Sequence, residues 1–198
     1  DDAVIEAAMA ADVVASPDSE PLRLIWCGRL SSEKRVFAAV EAVSLVPDCT
    51  LDIYGDGQLA ASLRKTVESA GLSGRIRLHG PVDHEKCLTA MRSSDVMLFT
   101  SFGFETQGLV LLEAAAMSLP TIYCDPALSE TVPAAGGILA ADPSPAALGA
   151  AIRLVTENRA KLKEMSDIVS AHPDIPRQSL QTKKILAIYN SLVGDLPA

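Results

Sequence analysis

The sequence has 198 residues, with 17 Lys+Arg against 25 Asp+Glu and a formal net charge of −8. Hydrophobic residues at 48% and charged residues at 21% suit one domain with a sizeable core, or one domain and a small annex, and exclude disorder as the main state. The acidic balance excludes a nucleic-acid backbone as a bulk partner and argues against an anionic membrane surface, so an anion must be held by a local site.

Residues 1–14 are helix-prone but short, and Pro17 and Pro21 mark a linker, which sets residues 1–21 apart as an N-terminal segment. The chain opens Asp1-Asp2, where a secretory signal would carry positive charge. Residues 22–27 read as a short apolar strand ended by Gly28. Val36, Phe37, Val40 and Val43 then share one face of a predicted helix over residues 34–46. The alternation continues with strand 50–54, helix 58–70, strand 76–79, helix 84–92, strand 96–100, helix 108–118 and strand 121–124, and a sixth short strand at residues 136–140.

Strand, helix, strand at this regularity predicts right-handed βαβ units and a parallel sheet covered on both faces. The expected fold is α/β, a single doubly wound Rossmann-like domain over residues 22–176 with a helical tail. In that tail Ser144 caps and Pro145 begins a helix with Leu148, Ile152 and Val155 on one face, and residues 159–171 form another. After Pro173 and Pro176, the residues Ile185, Ile188, Tyr189 and Leu192 form the stripe of a last helix within residues 177–198.

The longest membrane candidate, residues 132–152, is broken by Pro133, Gly136, Gly137, Asp142, Pro143 and Pro145. The four cysteines, Cys27, Cys49, Cys87 and Cys124, form no Cys-x-x-Cys pair and read as buried thiols of a reducing cytoplasm rather than disulfides. His79, His84 and His172 show no zinc spacing, so no metal is expected.

Ligands of such sheets sit outside the carboxyl ends of the strands, which directs attention to the loops at residues 28–34, 55–58, 80–83 and 101–108. In the first, Gly28-Arg-Leu-Ser-Ser-Glu-Lys34, two cations flank a strand-to-helix turn: a pyrophosphate clamp, or two solvated surface charges near Glu33. In the second, Gly55, Gly57 and Ala60 match the dinucleotide pattern G-x-G-x-x-A. No acidic residue ends the next strand to take a ribose, and a tight turn explains the glycines better.

The fourth loop is the densest. A helix starting near Gly108 leaves the N–H groups of Gly108, Leu109 and Val110 unpaired and able to face an anion. Glu105 stands before that end, and Glu113 lies about 7–8 Å along the axis. Each carboxylate suits a pair of sugar hydroxyls, so the order polyol, pyrophosphate, polyol describes a nucleotide sugar. Two other readings compete: Glu113 as a partly buried structural acid, and the two glutamates as acid and base of a glycoside hydrolase.

The run Glu105-Thr-Gln-Gly-Leu-Val-Leu-Leu-Glu113-Ala, followed by Pro120, resembles the Glu–seven residues–Glu motif of retaining glycosyltransferases of family 4, with the GT-B fold. The first turn, the Leu51-Asp-Ile-Tyr-Gly-Asp-Gly57 run and Ile76-Arg-Leu-His-Gly-Pro-Val82 fall in the family's order, and the match covers roughly residues 22–140. The resemblance implies that Arg29 and Lys34, with Gly28 in the same turn, bind the donor diphosphate. Glu105 would hold the transferred sugar and Glu113 the ribose. The N–H groups of Gly108, Leu109 and Val110 would meet phosphate, and the backbone near Val82 would border the base.

The resemblance further implies transfer of a hexose with retention, without an enzyme nucleophile, a metal or any cofactor beyond the nucleotide-sugar donor (a UDP-, GDP- or ADP-sugar). It implies the donor half of a two-domain enzyme. The partner would be an N-terminal acceptor-binding domain, towards which the 177–198 helix packs back. The half alone is expected to bind nucleotide diphosphate and turn over poorly or not at all; membrane association of the full-length enzyme stays open. The alternatives are an NAD-type dinucleotide-binding domain of an oxidoreductase, using residues 55–60, and a non-catalytic nucleotide-binding module. Arg35 and Ser118 stand where the family commonly has glycine, so the first turn is expected to be shaped differently.

Overall fold

The computed structural model describes residues 2–10, 20–171 and 185–187. Strands β1 (Leu22–Cys27), β2 (Cys49–Tyr54), β3 (Ile76–Gly80), β4 (Val96–Phe99), β5 (Thr121–Tyr123) and β6 (Gly137–Leu139) form one sheet in the order β3-β2-β1-β4-β5-β6. Every neighbouring pair is parallel. The helices are α1 (Asp2–Ala10), α2 (Val36–Ser44), α3 (Ala60–Ser69), α4 (His84–Arg92), α5 (Leu109–Ala116), α6 (Pro145–Thr156) and α7 (Arg159–Ala171). The expected doubly wound α/β fold is the one observed.

The period-2 geometry of a strand divides the core into two layers. Leu22, Leu24 and Trp26 of β1, with Val96 and Leu98 of β4, pack beneath α2, α3 and α6. The residues between them, Ile25, Cys27, Met97 and Phe99, face α1, α4 and α5. Both strands are buried on both faces, as central parallel strands must be when helices cover each side. Towards the β3 edge this fails: Thr50, Asp52 and Tyr54 of β2 are only half-buried, and the strand alternates.

Helix ends follow their local chemistry. Ser144 Oγ accepts from the Ala147 N–H at 3.1 Å with Pro145 in the first turn, as predicted. Asp83 caps α4 through the Lys86 N–H at 2.7 Å. The helix expected over residues 34–46 is shorter, because a 3₁₀ turn at Ser32–Lys34 ends on Arg35 in the left-handed region (φ 54°, ψ 39°) before α2 begins. The helix expected over 108–118 likewise stops at Ala116, with Ser118 at φ 59° and Leu119 N–H returned to the Ala114 carbonyl.

Both departures from the family pattern therefore keep the backbone that glycine would take, at a cost of about 1 kcal/mol each. The Arg35 side chain compensates, with Nη2 donating to the Pro143 carbonyl at 2.6 Å and Nη1 to the Thr100 carbonyl at 3.4 Å.

At the N-terminal side α1 packs on α4 and buries Ala8, so residues 2–10 add to the domain's core. Residues 11–19, which hold most of the linker expected from Pro17 to Pro21, and most of the expected last helix, including Ile188, Tyr189 and Leu192, lie outside the described residues. Residues 185–187 are helical, with Ile185 and Leu186 exposed. Among the described residues no helix is long and apolar enough to cross a membrane.

Candidate functional site

The strand order reverses between β1 and β4, so their crossovers leave towards opposite faces and a crevice opens at their carboxyl ends. A cavity of about 530 Å³ lies there, between Trp26 and Cys27 of β1, Phe99 of β4 with Thr100 just after it, and the first turn of α5. Gly28, Arg29, Lys34, Glu105, Gly108, Leu109, Val110 and Glu113 all line it. Val82, next to the α4 cap, is half-buried and is not part of the cavity wall.

The turn after β1 is shaped from behind by the turn after β2. Gly28 N–H donates to the Tyr54 carbonyl at 3.0 Å and Leu30 N–H to the Asp56 carbonyl at 2.9 Å. A Cβ on Gly55 would stand 1.8 Å from the Gly28 carbonyl oxygen, and one on Gly57 would stand 2.5 Å from that of Leu30. These two glycines allow a close backbone approach, which is the tight-turn reading of the G-x-G-x-x-A pattern. Neither lines the cavity.

Of the cations, Arg29 is exposed and has no acidic partner among the described residues. Lys34 Nζ forms an ion pair with Glu105, which the spacing of the two residues in the sequence does not reveal. Glu33 forms a salt bridge with neither cation. It accepts from Ser31 Oγ at 2.5 Å, and that hydroxyl holds its carboxyl below the usual carboxylate range, with both cations helping to lower it. A buried relay fixes the turn to the end of β4: Trp26 Nε1 donates to Thr100 Oγ1 at 3.0 Å, and Thr100 Oγ1 donates to the Lys34 carbonyl at 2.7 Å.

On the other wall, Gly108 begins α5 at φ 59°, ψ 63°, where an added Cβ would meet Leu111 Cδ1 at 2.9 Å. The N–H groups of Gly108, Leu109 and Val110 have no acceptor among the described residues. They stand at the positive end of the helix dipole, on the cavity. Asp125, buried after β5, accepts from the Gly103 N–H at 2.7 Å and so anchors the loop that carries Glu105. At the far end Glu113 Oε1 sits 2.8 Å from His84 Nε2, at the start of α4.

The two carboxylates thus belong to separate surroundings, one against an ammonium and one against an imidazole, with the free helix N–H groups in the same wall. That arrangement can hold an anion flanked by hydroxyl-bearing groups. Sequence reading missed His84, Trp26, Thr100 and Asp125; only the capping signature at Asp83 hinted at His84's place, one residue into α4.

A doubly wound domain with an anion-receptive crevice at its strand-order switch is a common class. The family is more definite. The family model described as "Glycosyl transferases group 1" matches residues 11–170, and the chain belongs to that family. Over 110 residues it is 36% identical to the UDP-N-acetylglucosamine–peptide N-acetylglucosaminyltransferase GtfA subunit of Streptococcus gordonii, covering 54% of this chain and 21% of that protein. It is 31% identical over 162 residues to a glycogen synthase of Mycobacterium tuberculosis, covering 79% of this chain and 39% of the relative. The pneumococcal O-GlcNAc transferase GtfA, solved in complex with UDP and GlcNAc, superposes with a TM-score of 0.61 at 26% identity, covering 89% of this chain and 36% of that one. The chain therefore spans well under half the length of these relatives.

Proposed function

We propose that this chain is the donor-binding half of a glycosyltransferase, the C-terminal domain of a family 4 enzyme that transfers a hexose with retention of configuration. One observation carries the reading: Arg29 and three N–H groups at the start of α5, all without a partner among the described residues, open with the Lys34–Glu105 pair and the Glu113 carboxylate on one cavity. The diphosphate lies against Arg29, Lys34 and the helix end, where charge-assisted hydrogen bonds and the dipole act together. Glu105 takes hydroxyls of the transferred sugar and Glu113 the ribose diol, each carboxylate accepting only. The base extends towards Val82. No enzyme nucleophile is invoked; the departing phosphate takes up the acceptor's proton.

The acceptor and the domain that binds it belong to the remaining length of the enzyme, which this reading places in the cytoplasm and on the N-terminal side of this domain. UDP is the first nucleotide to try, because the pneumococcal transferase was solved with it. Isothermal calorimetry against UDP, GDP, ADP and NADH tests the reading. Saturable binding of a nucleoside diphosphate, no sugar transfer by the isolated chain and weaker binding of NADH are expected. Preferential NADH binding overturns the donor-site reading, and multiple-turnover transfer overturns the half-enzyme assignment.

A further inference from the structure

Cys27 closes β1 and Cys87 lies in the first turns of α4, 60 residues away, yet their sulfurs are 3.4 Å apart. Both line the cavity. Cys27 is buried and Cys87 half-buried, so one thiol stands behind the other as seen from solvent. The remaining two, Cys49 and Cys124, are buried and free, and burial raises both thiols, Cys49 to about 11. We propose that Cys27 and Cys87 form an oxidisable dithiol, which a peroxide converts to a disulfide that closes the cavity to its nucleotide.

The chemistry balances with the peroxide as the only oxidant. The Cys87 thiolate attacks one peroxide oxygen, the O–O bond breaks, and the second oxygen leaves as hydroxide and takes up a proton to become water. Cys27 then attacks the resulting sulfenic sulfur, the S–O bond breaks, and a second water leaves. Two thiols and one hydrogen peroxide give one disulfide and two waters. The roles follow from the surroundings. The hydrogen bond between the two sulfurs holds the Cys87 thiol below its ordinary range, whereas that bond and burial push Cys27 well above it. Cys87 is thus the more exposed and more readily ionised partner, and Cys27 resolves.

A disulfide needs sulfurs at about 2.05 Å, so the pair must close by roughly 1.4 Å. Cys27 is held in a central strand, and the movement falls to the first turn of α4. His84 lies three residues before Cys87 on that same turn, and it holds Glu113. Oxidation therefore draws the His84–Glu113 pair out of place as it narrows the cavity. This effect on binding rests on the nucleotide-site reading; the formation of the bridge does not.

The test treats the reduced chain with hydrogen peroxide, blocks remaining thiols with N-ethylmaleimide, and reads intact mass, a peptide map and UDP affinity. Before alkylation a species lighter by two hydrogens is expected, mapped after alkylation to a bridge between residues 27 and 87, reversed by dithiothreitol and lost in Cys87→Ser. In Cys27→Ser the reaction should stop at a sulfenic acid that dimedone traps. UDP affinity should fall about tenfold on oxidation, the loss of one charged contact, and recover on reduction. The affinity of Cys87→Ser should be the same before and after peroxide. A bridge through Cys49 or Cys124, or no bridge, overturns the dithiol. A 27–87 bridge with unchanged UDP affinity overturns the closure. Failure of the reduced chain to bind UDP overturns the nucleotide site and the closure together, while the mass data still decide the dithiol.

Discussion

The turns after β1 and β2 present the same cues, glycine at a strand end, charged residues and then a helix, and the fold uses them oppositely. The first lines the cavity with Gly28, Arg29 and Lys34. The second stands behind it, its Asp56 carbonyl accepting from Leu30 and its Gly55 and Gly57 pressed against the first turn's carbonyls. A glycine-rich pattern reports that something approaches the backbone closely; whether that is a ligand or another loop depends on what lies opposite.

This contrast predicts that one turn is sensitive in stability and the other in binding. The largest effect is expected at Gly55. Gly55→Ala forces a Cβ onto the Gly28 carbonyl and should destabilise the chain by about 3 kcal/mol or leave it unfolded, read from urea denaturation. A Gly55→Ala protein as stable as the parent would break the comparison. Arg29→Ala should do the reverse. Its guanidinium is exposed and lacks an acidic partner among the described residues, so the unfolding midpoint should stay put while UDP affinity falls about tenfold or more. Unaltered calorimetric affinity would return Arg29 to the reading of a solvated surface charge.

The smallest effect sharpens the role of Arg35, which joins the two behaviours. Both Arg35→Gly and Arg35→Ala lose the hydrogen bonds to Pro143 and Thr100, but only glycine relieves the left-handed backbone. The glycine variant should therefore be the more stable of the two by about 1 kcal/mol in paired urea melts. Equal stabilities would mean that the turn relaxes out of the left-handed region once the side chain is gone.

Much of the fold was legible because its signals are local. Apolar periodicity placed the six strands and the helices between them, and Ser144-Pro145 marked a helix start that the structure keeps. Helix ends at Arg35 and Ser118 were read too long, since a left-handed arginine or serine has no compositional mark. About half of the cavity's wall was legible too: the loops at residues 28–34 and 101–108 line it, whereas those at 55–58 and 80–83 do not. Val82 was placed by resemblance alone, and it is the one predicted site residue that the cavity wall leaves out.

The sequence by itself determined the order of elements, the parallel sheet and the edge on which the candidate residues gather. All of these follow from side-chain periodicity within a few turns of chain. Tertiary structure alone decided the partners: Lys34 with Glu105, His84 with Glu113, and Cys27 with Cys87 meet across separations of 29 to 71 residues. Those meetings depend on β4 lying beside β1 and on α4 and α5 sharing a face. A reversal of strand order is a property of the packed sheet, and no local period encodes it.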